Sequence, residues 1–261
     1  MGAGRKVLVI AAIAIAVAAA AIVFAYYATS ISEPRPLGRN LIVVTTVAPI
    51  ENVIRNVGGD RVDIIRVVPE GEDSHTFNLS VTQRVIVSKN ADIVIVNGLG
   101  LETSIENAAI GSENKNLRLL RLADSTISRE EWIFDFSFPA EEGNPNPHLW
   151  LDVRHAMRYA ELVRDELSEA DPNNAGYYAE NTERYLALLR QLDGAIAESI
   201  QTIPQENRKL LTYHDSWPYF AKRYGLEVIG AVQPANFGEP TEEEISMIVQ
   251  QIREEKVPAI F

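Results

Sequence analysis

The chain of 261 residues contains no cysteine. That absence excludes disulfides, thiolate zinc sites, iron–sulfur clusters, cysteine nucleophiles and lipid attachment through an N-terminal Cys. Histidine is scarce, with four in all, so any metal site draws on few imidazoles and on oxygen. Positive charge is also short: 24 Lys and Arg face 36 Asp and Glu, a net charge of −12. Such a surface repels phosphate backbones, and no basic patch offsets it. Nucleotide and hydrolase motifs are missing. The glycines of GLGLE (98–102) lack the GxGxxG spacing, and there is no P-loop, GxSxG or HExxH. What remains is 46% hydrophobic and 23% charged, the balance of a globular protein with a real core.

One long hydrophobic run is present. Val7 to Ala28 carries no charge, follows Arg5 and Lys6, and ends on Tyr26 and Tyr27. At about 1.5 Å per residue it spans roughly 33 Å, enough to cross a bilayer. The expectation for residues 1–30 is an uncleaved anchor with its N-terminus inside and the remainder outside the cell. A signal peptide cleaved near Ala28-Thr29-Ser30 is the alternative. Residues 31–40, with Pro34 and Pro36, read as a tether.

The body alternates strand and helix. Strands are expected at 41–46, 62–68, 93–97, 117–122, 209–213 and 227–231, with a last one starting at 257. Helices are expected at 49–57, 81–89, 152–169, 175–200, 216–224 and 242–255. In the long 175–200 helix, Tyr178, Tyr185, Leu189, Leu192 and Ile196 share one face. This alternation predicts an α/β fold with parallel sheets. Two βα lobes, 41–173 and 203–261, would hang on the linking helix 174–202. A single doubly wound domain with one oversized helix is the alternative. The chain stops inside or just after an apolar strand, so the second lobe reads as incomplete.

Three of the four histidines fall where a crevice forms in such folds. His75 follows the second strand in GEDSHTF, and His214 ends the fifth in LLTYHDSWPYF. His148 closes a long loop in NPNPHLWLD, ahead of a helix that Asp152 can cap. His155 lies inside that helix beside Arg154 and Arg158, where positive charge disfavours a cation, and reads as structural.

Several segments in this order resemble one family. They are NVGGDRV (56–62), VVPEGEDSHTF (67–77), ADIVIVNGLGLE (91–102), PHLWLD (147–152), DPNNAGYYAEN (171–181), TYHDSWPYFAKRYGL (212–226) and EPT (239–241). The chain is similar to the solute-binding proteins that deliver zinc or manganese to ABC-type importers. The resemblance implies two βα lobes on one long helix with a metal in the cleft, and a permease with its ATPase as partners. It places metal ligands on His75, His148 and His214, and a fourth, carboxylate ligand beyond Phe261. Ser74 stands where the family usually has Pro, and an apolar anchor stands where it often has a lipidated Cys.

Three imidazoles and a carboxylate suit a tetrahedral zinc site that holds its ion rather than reacts with it. Manganese prefers more oxygen, so the donor set favours zinc. Against a dedicated zinc protein, the loop 125–147 is acidic but holds no histidine. Asp73, Asp152, Asp215 and Glu239 are candidates to orient the rings or to substitute as ligands. The alternating aromatics Trp132, Phe134, Phe136 and Phe138 read as a half-buried edge strand. Two other functions compete with metal capture. One is a metal-dependent surface adhesion protein, the other a zinc hydrolase with an open coordination position.

Overall fold

The computed structural model describes residues 39–233 and 237–260. The segment expected to enter a membrane lies outside them. Among the described residues no helix is long and apolar enough to cross a bilayer.

The first strands are short and β-branched. β1 (Leu41–Thr45), β2 (Val62–Arg66), β3 (Ile93–Val96) and β4 (Arg118–Arg121) form one parallel sheet in the order β2-β1-β3-β4. All four side chains of β3 are buried, as in a sheet covered on both faces. Side chains alternate between the faces. Val43, Ile93 and Ile95 enter a core with Ile50, Ile54, Tyr159, Val163 and Tyr178. Val44, Val94 and Val96 face the opposite way, toward Leu79, Val87, Ile105 and Ala109.

Helices supply the two covers. α1 (Ala48–Gly58) starts with Pro in its first turn and packs on α4 (Val153–Ala170) and α5 (Ala175–Gln201). On the other face lie α2 (Val81–Val85), a π-turn over Ile86–Asn90, and α3 (Thr103–Ile110). The sequence pattern predicts one helix over 81–89; the structure widens its second half into the π-turn, where Ser112 Oγ donates to the Ser88 carbonyl. Helix α3 has no counterpart among the elements expected from the sequence.

The 27 residues of α5 reach about 40 Å. Tyr178, Leu186 and Leu189 are its buried anchors, but Leu192 is 48% exposed, contrary to the expected stripe. Beyond it, β5 (Lys209–Thr212) and β6 (Glu227–Ala231), joined through α6 (Pro218–Tyr224), make a second, two-stranded parallel sheet. α7 (Glu242–Glu255) follows, capped by Thr241 and Glu244 in a reciprocal box, and Ile260 bridges to Leu211.

The aromatic segment 132–138 is not an edge strand. Its backbone bonds go to loops: Asn146 N–H to the Ile133 carbonyl, Asp135 N–H to that of Phe138, and Ser137 N–H to Asp215. With no strand alongside, the two-residue spacing gives the aromatics no common face: Phe138 turns inward while Phe136 is 54% exposed.

Candidate metal centre

In the first sheet the chain steps from β1 to β2 on one side and from β3 to β4 on the other. The carboxyl ends of β1 and β3 therefore flank a switch point, where open α/β sheets leave a crevice. Buried Glu102 closes it, accepting from the Thr46 hydroxyl at 2.6 Å and from the N–H groups of Asn97 and Gly98. Burial pushes its carboxyl up to about 7. Asn97, oriented by the Tyr159 hydroxyl at 2.7 Å, donates to the Pro147 carbonyl at 2.8 Å. The strand ends thus hold the residue before His148.

His75 follows β2, His148 precedes α4 and His214 follows β5, yet their Nε2 atoms converge. The distance from His148 is 3.3 Å to His75 and 3.1 Å to His214. One nitrogen from each ring lies within 4.8 Å of the others. With metal–nitrogen bonds of 2.0–2.1 Å, the edge of a tetrahedron is about 3.3 Å.

The tautomers follow from the neighbours. Asn146 Nδ2 donates to Asp135 Oδ2 and to the Asp215 carbonyl, both at 2.9 Å, so its Oδ1 faces His148. There Oδ1 accepts from the His148 backbone N–H and, at 2.8 Å, from ring Nδ1. Gln233 does the same for His214: Nε2 donates to the Phe237 carbonyl, and Oε1 accepts from Nδ1 at 2.7 Å. Both rings carry their proton on Nδ1 and turn the Nε2 lone pair inward. Facing lone pairs at 3.1 Å repel unless a cation lies between them. Burial, then the neighbouring imidazoles, lowers His75 to about 4 and holds His148 well below the ordinary value. These rings are neutral and ready to ligate.

The expected supporting carboxylates sit elsewhere. Asp73 accepts from the His75 backbone N–H at 2.8 Å and fixes the turn, not the ring. Asp152 caps α4 and pairs with Arg154. Glu239 meets the Tyr213 hydroxyl. Asp215 is buried, accepts from Ser137 N–H and faces Asp135, whose carboxyl is raised by burial and by the Asp215 charge. Asp135 Oδ1 and Asp215 Oδ1 are both buried, and a proton retained on the raised Asp135 carboxyl would serve the pair. His155 stands apart from the cluster, edge-on to Tyr219. Asn146 and Gln233, which do orient the rings, went unnoticed in the sequence. Only the Asn two places before His148 offered a signal; Gln233 lies 19 residues from the ring it serves.

An α/β frame that gathers three imidazoles from three chain segments is the frame of a metal-binding protein. The comparisons make the class specific. The family described as zinc-uptake complex component A, periplasmic, matches residues 43–261. The manganese-binding lipoprotein MntA of Halalkalibacterium halodurans is 33% identical over 225 residues, 86% of this chain and 71% of that protein. The manganese ABC transporter substrate-binding lipoprotein PsaA of Streptococcus mitis is 29% identical, over 86% of this chain and 72% of its own. Among solved structures, the periplasmic zinc-binding protein TroA of Treponema pallidum superposes with a TM-score of 0.76 at 26% identity. That match covers 85% of this chain and 77% of the other. The chain belongs to the zinc-uptake component A family, the metal-binding components of ABC transporters, and is not an enzyme.

Proposed function

We propose that this protein captures a divalent transition metal outside the cell membrane, on His75, His148 and His214, and passes it to a permease driven by an ATPase. The observation that carries the reading is the pair of Nε2 contacts at 3.1 and 3.3 Å that His148 makes with His214 and His75, with the Nδ1 atoms of His148 and His214 turned outward to amide oxygens. Nitrogen donors in this number favour zinc over manganese, which takes oxygen-rich, six-coordinate sites. A fourth, oxygen ligand completes the tetrahedron. Relatives named for manganese and for zinc both occur, so the donor set, not the names, supports the choice of ion.

In this reading residues 41–173 and 203–261 are two βα lobes hung on α5, and the metal lies in the cleft between them. Residues 1–30 anchor the chain. The uncharged run Val7–Ala28 supports the anchor, and the family supports the extracytoplasmic side.

Competition titration of the full chain with zinc and manganese tests the proposal. One tight equivalent of zinc is expected, weakened at least a hundredfold by alanine at His75, His148 or His214 and unchanged by His155→Ala. Equal affinity across all four variants would overturn the assignment.

A further inference from the structure

The three imidazoles are flanked by aromatic rings that no ligand role explains. Phe138, 7% exposed, has its ring centroid 5.5 Å from that of His75 and 5.9 Å from that of His148. Phe237 stacks on His75 at 4.3 Å, with 9° between the planes, and lies 6.1 Å from His214 and 5.9 Å from Phe138. Trp150 meets His148 edge-on from another side.

Both phenylalanines are held in place by groups tied to the ligands. Phe138 follows Ser137, whose N–H is fixed by buried Asp215, the residue after His214. Phe237 adopts φ +60, a left-handed conformation costly for a side chain with Cβ. Its carbonyl is gripped by the same Gln233 that orients His214. The strain and the grip together place an apolar face on the imidazole cluster.

We propose that Phe138 and Phe237 are specificity-determining residues, a dry wall that keeps added water ligands off the bound ion. The inference rests on the three-histidine site proposed above. Zinc is content with four ligands, whereas manganese prefers six, mostly oxygen. A water in the added positions would meet a phenyl ring and find no hydrogen-bond partner there. The wall therefore penalises the six-coordinate ion and spares the four-coordinate one.

Zinc and manganese affinities of the full chain would be measured for wild type, Phe138→Ala, Phe237→Ala and Phe138→Leu. Cobalt(II) serves as the spectroscopic probe, since a four-coordinate ion absorbs visible light far more strongly than a six-coordinate one. In both alanine variants the zinc-to-manganese affinity ratio is expected to fall by about tenfold, roughly 1.4 kcal/mol. The cobalt band should weaken in parallel, while Phe138→Leu keeps wild-type behaviour. A wild-type ratio and cobalt spectrum in both alanine variants would overturn the wall but leave the metal site standing. If wild type itself bound no metal, or bound it as well after His148→Ala, the site and the wall would fall together. Should Phe138→Ala fail to fold, Phe237→Ala and Phe138→Leu still decide the matter.

Discussion

His148 owes its lone pair to a neutral amide. Asn146, fully buried, spends its two donors on Asp135 and Asp215 and so has only its oxygen left for the imidazole. Asn146→Ala removes that acceptor and frees the ring to turn or change tautomer. Metal affinity should fall about 10–100-fold, the usual cost of losing a partner that orients a ligand. Titration of the variant beside His155→Ala reads it, and unaltered affinity would show that packing alone fixes the ring. Proton competition is a second consequence at this scale. An imidazole of ordinary pKa loses roughly 25-fold in metal affinity between pH 7 and pH 5, so two would lose about 600-fold. His75, lowered to about 4, and His148, also lowered, are already neutral across that range. The total loss of zinc affinity from pH 7 to pH 5 should stay below about a hundredfold, measured in a buffer that does not chelate.

At the scale of elements, the turn from β3 into α3 is the most constrained. Gly98, Leu99 and Gly100 all have positive φ, at +89, +51 and +83. A Cβ at Gly98 would lie 2.0 Å from Asp124 Oδ2, the atom that accepts from Leu99 N–H. Gly98→Ala should therefore destabilise by about 2–4 kcal/mol, seen as a lower denaturant midpoint with unchanged slope. The same turn houses Glu102. Its folded pKa, about 7, lies above the ordinary 4.5, so the unfolded chain gives up this proton first. Stability from this group is complete below pH 4.5 and is lost as pH rises to 7, by on the order of 3 kcal/mol. His75 slopes the other way, gaining stability from about pH 4 to 6.5, and lowered His148 slopes in the same sense, so the raw curve mixes these with Glu102. The difference between wild type and Glu102→Gln isolates the carboxyl. Wild type should lose ground to the variant across that interval, and a flat difference would mean Glu102 titrates normally.

Strands and long helices were legible because burial writes a period into them. Glu227–Ala231 and Glu242–Glu255 fall on the residues expected, and α5 extends the expected helix by one. Helix α3 was hidden by the glycines that its tight entrance requires. The segment 132–138 misled because alternation signals a strand only if a partner strand lies beside it. At the site, three histidines at strand and loop ends could be picked out since each sits beside its own local signal. The amide of Gln233 could not, because a hydrogen bond closed by folding leaves no mark on sequence spacing.

Across the whole molecule the three clustered histidines join what the sheets keep apart. His75 leaves the four-stranded sheet, His214 leaves the two-stranded one, and His148 rides the loop between them, steadied by Asn97 of β3's end and by Asn146 against Asp215. His148 and His214 turn their Nε2 lone pairs toward each other at 3.1 Å, a repulsion that a bound metal would turn into attraction. Binding to the folded chain alone then adds stability as RT ln(1 + [M]/Kd), about 4 kcal/mol at a thousandfold excess over Kd. Zinc should raise the midpoint of thermal unfolding by several degrees in wild type, and by an amount that grows with the logarithm of free zinc. His148→Ala should show none of this rise, because the removed ring makes both close contacts. Calorimetric scans at stepped zinc concentrations measure it, with His155→Ala expected to follow wild type. A rise that survived His148→Ala would place the stabilising ion on the acidic surface instead, and the three rings would then need another reason to converge.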